Sequence, residues 1–351
     1  MGTITFLLVL SVLVFIHELG HFTAARYFGV TVHVFSIGFG KKIYSKMYKG
    51  TQWSISLIPL GGYVKMKGQD DMNPAAVSSD KDSYNSLKPW QRIVILAAGP
   101  GANFILAFFL YLMIALMGSN ALSPTIGKVL PNSPALKAGL QVNDEIIKIN
   151  DTTIRTWNEL SKVIKVSDQT MKFVIKRDNK IYVKTIRPHL GDTQNMFREK
   201  VKKLMIGIAP APKLVVVHYS VGEAISYAYD RTYEASKMIF LGIQKMIQGI
   251  IPSSEVGGVI TIGKVISDAS QSGIIALFTI MALISVNLGV LNLLPIPALD
   301  GGHIMFNLYE IITRRKPSQN VLVYLTIGGW VILAGLMGLG MYNDIIRLIN
   351  N

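Results

Sequence analysis

Two histidines and a glutamate near the start of the chain have the spacing of a metal-dependent hydrolase. The residues are His17, Glu18 and His21, in the pattern His-Glu-x-x-His. On a helix, side chains four residues apart lie on one face, so both imidazoles can reach one ion. Glu18 directly follows the first histidine, where its carboxylate can take a proton from water at the metal. The spacing therefore predicts a zinc hydrolase site.

The sequence around this short pattern makes it more specific. His17 lies in an apolar run with Phe15, Ile16, Leu19 and Phe22 around it. Ionisable side chains within an apolar helix are costly in lipid and need a function or a partner. Histidines that only pack or hydrogen-bond within a helix bundle are the alternative. We favour the metal site, because three ionisable groups so close together are hard to satisfy without an ion.

A catalytic zinc ion needs a third protein ligand and an open coordination position. The best candidate is Asp300, in the stretch NLGVLNLLPIPALDGGH. Pro295 and Pro297 should interrupt the preceding helix. The Asp-Gly-Gly sequence is then expected to turn the chain and direct the carboxylate inward. His303 is a rival ligand, which we rank below Asp300. We expect its side chain to contact the metal ligands without binding the ion, or to lie at the level of the lipid headgroups.

The composition indicates a membrane protein. Of 351 residues, 50% are hydrophobic and 16% charged, and the mean hydropathy is +0.39. Soluble domains contain about 25% charged residues. The chain has no Cys, which excludes disulfides, thiolate metal ligands and a cysteine nucleophile. The net charge of +14 fits Lys and Arg beside membrane spans and anionic lipid. No nucleic-acid module is recognisable, and we expect no nucleic acid as a partner.

Four apolar segments approach the length of about 20 residues that crosses a bilayer. We interpret the first as a retained span and not a signal peptide, because no small-residue cleavage site follows it. Basic residues in the loops between the first and second and the third and fourth segments predict that both loops are cytoplasmic. The termini and the central region would then face outward. The segments are approximately residues 3–28, 93–117, 274–294 and 321–341.

The central region, residues 122–188, has the short strands and helices of a small globular domain. Two alternating strands around Asp178-Asn179 predict a β-hairpin. The stretch SPALKAGLQVNDEIIKIND is fairly specific, and on it the region resembles a PDZ domain. One such module is recognisable.

Three further segments carry structural expectations. Residues 221–250 are helical in pattern but too polar to cross a bilayer. We expect a helix at the membrane interface or, equally, one packed on the soluble domain. The stretch GGVITIGK that follows is expected to be a structured loop. The small residues of GPGANF, residues 99–104, should allow close helix packing.

Residues 52–66, WSISLIPLGGYVKM with its flanks, alternate in polarity around a proline and two glycines. This pattern predicts a sheet or a membrane-dipping hairpin, and an ordinary cytoplasmic hairpin is the alternative. An element of this kind could hold an extended substrate by backbone hydrogen bonds.

The first-helix motif and the later Asn-x-x-Pro…Leu-Asp-Gly run together resemble the site-2 protease family, peptidase M50. These are intramembrane zinc metalloproteases, and the PDZ module matches the bacterial regulator-of-sigma-E protease type that cleaves anti-sigma factors. The resemblance implies zinc ligation by His17, His21 and Asp300, with Glu18 as the acid–base residue. It also implies that Asn292 steadies the reacting water or the oxyanion. Helix packing through the Asn292 amide is the alternative.

The resemblance implies a mainly α membrane protein: a four-helix transmembrane metalloprotease core, a membrane-associated β element and an inserted extracytoplasmic PDZ (α/β) domain. The expected domains are residues 1–118, 119–190, 191–272 and 273–351, the third being a linker with an interfacial helix. In the family, the β element holds substrate, which here indicates Gly61, Gly62 and Tyr63.

The implied partners are transmembrane substrates, either anti-sigma-factor-like proteins or remnant signal peptides, and the lipid bilayer. The implied location is the bacterial inner membrane, with the active site toward the cytoplasm and the PDZ domain outside. Two other functions are compatible with the motifs: a membrane-anchored metalloprotease acting on water-exposed peptides, and a non-catalytic PDZ scaffold. The apolar run around His17 disfavours the first, and the intact Glu18 disfavours the second.

Overall fold

A computed structural model describes residues 2–69 and 78–350 of the chain. The chain divides into two compact units. Unit 1 comprises Met1–Ile114 and Ile225–Asn351, and unit 2 comprises Ala115–Ala224. The helices are α1 (Gly2–Tyr27), α2 (Pro89–Met117), α3 (Pro134–Lys137), α4 (Trp157–Val166), α5 (Val221–Ile247), α6 (Val259–Gln271), α7 (Ile274–Asn292), α8 (Asp300–Thr313) and α9 (Gln319–Asn350). The strands are β1 (Val32–Tyr48), β2 (Thr51–Met66), β3 (Ser119–Leu122), β4 (Ile126–Val129), β5 (Glu145–Ile149), β6 (Thr152–Thr153), β7 (Met171–Arg177), β8 (Lys180–Ile186), β9 (His189–Gln194), β10 (Lys200–Met205), β11 (Ile208–Pro210) and β12 (Leu214–Val217).

Four helices of unit 1 are long and apolar enough to cross a membrane, which confirms the prediction of four apolar helices. They are α1, α2, α7 and α9, with mean hydropathies of 2.0 to 2.5 over their most apolar stretches. Helix α2 begins at Pro89, earlier than predicted, because proline is well tolerated in the first turn of a helix. Helix α9 extends to Asn350, beyond the apolar segment from which its end was predicted.

The core of unit 1 is an apolar cluster shared by α1, α2 and α7. Leu13, Ala107, Ala282 and Val286 are fully buried in it. Helix α5 contributes Ala228 to the same cluster and packs Ala235, Ile239 and Ile243 against it. The alternative of a helix packed on the soluble domain therefore needs correction, while a position at the membrane interface stays a prediction. Small and branched residues at helical spacing bury one face of α5 against the apolar bundle.

The predicted loop GGVITIGK is instead the beginning of helix α6. Its first turn is capped by Asp344 of α9, whose carboxylate accepts hydrogen bonds from the backbone amides of Gly258 (3.0 Å), Ile260 (2.9 Å) and Thr261 (3.1 Å). The residue at the N-cap, Gly258, has no side chain that could cap the helix. The local sequence therefore lacks the usual signal for the start of a helix. The free backbone amides of the first turn are satisfied instead by a carboxylate that is distant in sequence.

Strands β1 and β2 form an antiparallel sheet in which β2 folds back on itself. Val34 pairs with both Lys65 and Gln52, and Ile37 pairs with both Gly62 and Ile55. Residues 32–37 therefore lie between residues 62–66 on one side and residues 51–56 on the other, with residues 42–48 beyond. The expected sheet at 52–66 is present and includes β1 as its partner strand.

The sheet is attached to α1 by aromatic packing. The ring of Phe35 in β1 is buried and packs edge-on against Phe15 (centroids 5.6 Å apart) and Phe22 (5.7 Å) of α1. Trp53 of β2 stacks on Phe35 at 4.5 Å and packs edge-on against Phe22 at 5.1 Å. These contacts hold the sheet beside the helix that carries the His-Glu-x-x-His motif.

Unit 2 contains a four-stranded sheet in the order β6-β5-β7-β8. The predicted hairpin is confirmed, since β7 and β8 pair in register and Asp178 and Asn179 both have positive φ, at 48° and 61°. Phe173 and Ile175 of β7 are fully buried in the core. Asp144, also fully buried, accepts from the Arg177 guanidinium at 2.6 Å.

The structure differs from the linker expected after residue 190. Strands β9 to β12 lie in this segment, with β11 paired to β4 and β12 paired to β3. Ile206 belongs to the buried core of unit 2. The pairing partners are more than 70 positions earlier in the chain, so local sequence patterns gave no sign that these short strands complete the unit.

Candidate metal centre

Helix α1 places His17 and His21 on one face, one turn apart. Their Nε2 atoms are 3.2 Å from each other. The Oδ2 atom of Asp300 lies 3.4 Å from Nε2 of His17 and 3.5 Å from Nε2 of His21. Within the described residues, these three are the group of His, Asp and Glu side chains close enough to share an ion. The structure thus brings together side chains from opposite parts of the sequence.

The Asp300 carboxylate reaches this point from the first turn of α8. The expected turn at Asp-Gly-Gly is instead the start of this helix. Gly301 and Gly302 are buried, and a Cβ atom on either would collide with the backbone of the preceding loop. The Arg92 guanidinium of α2 donates to Glu310 of α8 at 2.9 Å, so the helix is held at a second point.

The donor atoms have the separation that zinc requires. Zinc–nitrogen bonds of about 2.0–2.1 Å in a tetrahedral shell place neighbouring donors about 3.3 Å apart. The three observed separations of 3.2, 3.4 and 3.5 Å agree with that geometry. Two imidazoles and one carboxylate, without sulfur, also suit zinc. The residues present therefore fit the ion, and three protein ligands leave a fourth position for water or substrate.

Helix α2 supplies the polar partners of both imidazoles. Nδ1 of His21 lies 2.9 Å from the backbone oxygen of Ile95, and Nδ1 of His17 lies 3.1 Å from the Asn103 side chain. Gly99 faces the His21 ring so closely that a Cβ atom would overlap it. Close helix packing was the predicted role of residues 99–104. The sequence reasoning missed the polar role, for which Asn103 in an apolar helix was the available signal.

Glu18 and the glycines of β2 adjoin the same site. Glu18 is 9% exposed. A Cβ atom added to Gly62 would lie 3.0 Å from Cγ of Glu18 and 2.8 Å from Cγ1 of Val14. The ring of Phe39 covers Gly61 and stacks on Tyr63 with centroids 6.3 Å apart. The structure therefore places Gly62 against the predicted acid–base residue, with Gly61 and Tyr63 on either side.

Two other predicted residues lie near the ends of helices. Asn292 is the last residue of α7. Its role toward water or an oxyanion stays a prediction. His303 is in the first turn of α8 and its ring packs edge-on against Phe306, with centroids 5.8 Å apart. It is not part of the group formed by His17, His21 and Asp300.

A helix with the His-Glu-x-x-His motif and an aspartate that converges on it define a metallohydrolase. The long apolar helices of the same bundle indicate a membrane protein. The chain belongs to peptidase family M50, whose profile matches residues 5–336.

Similar proteins agree with this assignment. "Putative zinc metalloprotease Cj1068" of Campylobacter jejuni is 48% identical over 97% of this chain and 92% of its own length. "Putative zinc metalloprotease" of Helicobacter pylori is 40% identical over 97% of this chain and 98% of its own. "Metalloprotease MmpA" of Caulobacter vibrioides is 32% identical over 98% and 95%. The chain is a zinc metalloprotease of family M50.

Proposed function

We propose that the chain is an intramembrane protease that hydrolyses single-span membrane proteins within or near the bilayer, in regulated intramembrane proteolysis. The observation that carries the proposal is the position of the donor group. His17 and His21 belong to α1, one of the helices long and apolar enough to cross a membrane. A metal site on such a helix can act on peptide bonds that lie at membrane depth.

The chemistry is divided among few residues. His17, His21 and Asp300 would hold the zinc ion. When bound, zinc supplies Lewis acidity that polarises a peptide carbonyl and lowers the pKa of water. Glu18 takes the proton of the attacking water and passes it to the leaving amine. Asn292 would orient the water or donate to the developing oxyanion. The buried surroundings of Glu18 and His21 limit competing water.

The edge of the β1–β2 sheet is the proposed binding site for the substrate backbone. Residues 62–66 pair with β1 on one side, and no strand in the described part of the chain pairs with their other side. A transmembrane helix must unwind before its carbonyls can be attacked. The unwound segment can then add to this edge as a strand, with its backbone passing Gly62 and Glu18.

The proposed substrates are anti-sigma-factor-like proteins and remnant signal peptides. We further propose that unit 2 is a PDZ module that controls access, either by binding a newly formed C-terminus or by excluding bulky substrates. The proposed location is the bacterial inner membrane. The basic residues at 41–49, mostly in β1, and at 314–316 support a cytoplasmic active site, with the termini and unit 2 on the outer side.

The position of the cut bond tests the proposal. The full chain is co-expressed with a panel of single-span membrane proteins, and the new termini of the products are determined by mass spectrometry. We expect termini within or at the border of the apolar span, with the Glu18→Gln variant as the inactive control. Cuts confined to water-exposed segments would contradict the proposal and support a membrane-anchored protease with a water-facing site.

Substitution of Gly62 tests the proposed substrate edge. Gly62→Ala places a methyl group 3.0 Å from Glu18 Cγ and 2.8 Å from the Ser36 carbonyl oxygen. We expect cleavage to fall by about 10²-fold, since small displacements of a catalytic group cost about that much. Zinc content should be unchanged, because no donor atom moves. Both quantities are measured on the purified variant.

Gly242→Ala is the matched control for this substitution. Gly242 lies in helix α5, where an added Cβ atom would contact nothing within 4 Å. Its cleavage rate should equal that of the wild type. Full activity of Gly62→Ala would show that neither Glu18 nor the substrate depends on the space beside Gly62.

A further inference from the structure

Asn103 is a fully buried polar residue in an otherwise apolar part of α2. Its exposed fraction is 0%. The side-chain amide lies against His17, with Nδ2 of Asn103 at 3.1 Å from Nδ1 of His17. The amide oxygen Oδ1 is also buried, and it has no hydrogen-bond partner. A buried carbonyl oxygen without a donor is destabilising, so this orientation of the amide requires an explanation.

The proton on the His17 ring decides which amide atom belongs beside it. A neutral imidazole carries one hydrogen, on Nδ1 or Nε2. Nε2 of His17 is one of the three converging donor atoms, so it must be free of hydrogen to bind an ion. Nδ1 then carries the hydrogen and needs an acceptor. The amide nitrogen cannot accept, whereas Oδ1 can.

A half-turn of the Asn103 amide gives the Nδ1 hydrogen of His17 an acceptor and gives the Asn103 Oδ1 atom a donor. The oxygen and nitrogen of an amide exchange places without a change of shape. No hydrogen bond of Oδ1 is lost, because it has none in its present direction. His21 shows the same arrangement already, since its Nδ1 lies 2.9 Å from the backbone oxygen of Ile95.

We propose that the Asn103 side-chain oxygen accepts the Nδ1 hydrogen of His17 and holds this imidazole with Nε2 toward the metal. Asn103 is then a positioning residue, because it acts through His17. The inference rests on the proposed zinc ligands. Partners of this kind fix the tautomer and orientation of a ligating histidine and contribute about 10–100-fold to metal affinity.

The backbone around Asn103 is held in place for this role. Its carbonyl oxygen accepts a hydrogen bond of 2.8 Å from the buried Ser285 hydroxyl of α7. Helix α2 is thereby joined to the helix that precedes the Asp300 loop. The bond uses the backbone of Asn103 only, so the side-chain amide stays free to turn toward His17.

The dissociation constant for Zn²⁺ tests the proposal on the purified full chain, by competition with a chelator. Asn103→Leu keeps the volume but removes the acceptor, and we expect binding about 10–100-fold weaker. Asn103→Asp retains an acceptor oxygen and should bind at least as tightly as the wild type. A residue needed only for apolar packing would show the opposite order, because a buried carboxylate harms packing and leucine does not.

Three further variants separate the possible failures. His17→Ala tests the ligand set itself: if it keeps wild-type affinity, the proposed zinc site is wrong. If His17→Ala loses zinc but Asn103→Leu does not, only the role of Asn103 is wrong. Gly242→Ala, where an added Cβ atom contacts nothing within 4 Å, is the control and should bind zinc like the wild type. If Asn103→Leu melts earlier than the wild type in metal-free form, Asn103→Ala provides the same comparison with Asn103→Asp. Equal loss in the Asp and Ala or Leu variants would overturn the proposal.

Discussion

Replacing Glu18 with glutamine is expected to reduce peptide-bond cleavage by about 10²–10⁴-fold, the usual contribution of a general acid–base residue. Glutamine has nearly the same shape but cannot take a proton from water. Zinc binding should persist, because the converging donor atoms belong to His17, His21 and Asp300. The measurements are the cleavage rate of a membrane substrate and the zinc content of the same preparation.

The zinc content distinguishes loss of a metal ligand from loss of the acid–base residue. A Glu18→Gln protein that loses both zinc and activity would assign Glu18 to the metal shell and not to proton transfer. A protein that processes its substrate at the wild-type rate would remove Glu18 from the mechanism altogether. The expected combination, full zinc and little activity, is the one that a base beside the ion requires.

Local spacing made part of the site predictable. The histidines are four residues apart on one helix, so their convergence follows from helix geometry alone. The four long helices were predictable from the length and the apolar composition of their own segments, which are also local properties. The approach of Asp300 is different, because no local pattern joins it to residues 17–21. It was expected through the combination of two motifs on separate apolar segments, and the structure brings these residues to 3.4–3.5 Å.

Contacts between distant segments explain what the sequence did not predict. Asn103 meets His17 across 86 positions. Helix α6 takes its cap from Asp344, 83 to 86 positions away, so it was mistaken for a loop. Strands β11 and β12 pair with β4 and β3, at the beginning of unit 2. In each case the side chain or strand has a partner far away in the sequence, so no pattern among neighbouring residues could reveal the contact.

The largest effect on the metal is expected from Asp300→Ala. Loss of a positioning partner alone weakens zinc about 10–100-fold, so loss of a ligand should weaken it by more than about 100-fold. At free zinc about 1,000-fold above the dissociation constant, binding stabilises the folded protein by about 4 kcal/mol. Asp300→Ala should lose most of this zinc-dependent stabilisation, which thermal unfolding with and without zinc measures.

His303→Ala is the matched control, because His303 is three positions further along α8 and was the rival candidate for the third ligand. Its ring packs against Phe306. The variant should bind zinc like the wild type and keep the zinc-dependent rise in melting temperature. If His303→Ala loses zinc and Asp300→Ala keeps it, the third ligand is the imidazole. The carboxylate 3.4 Å from His17 would then serve as a hydrogen-bond acceptor for the ligating histidines.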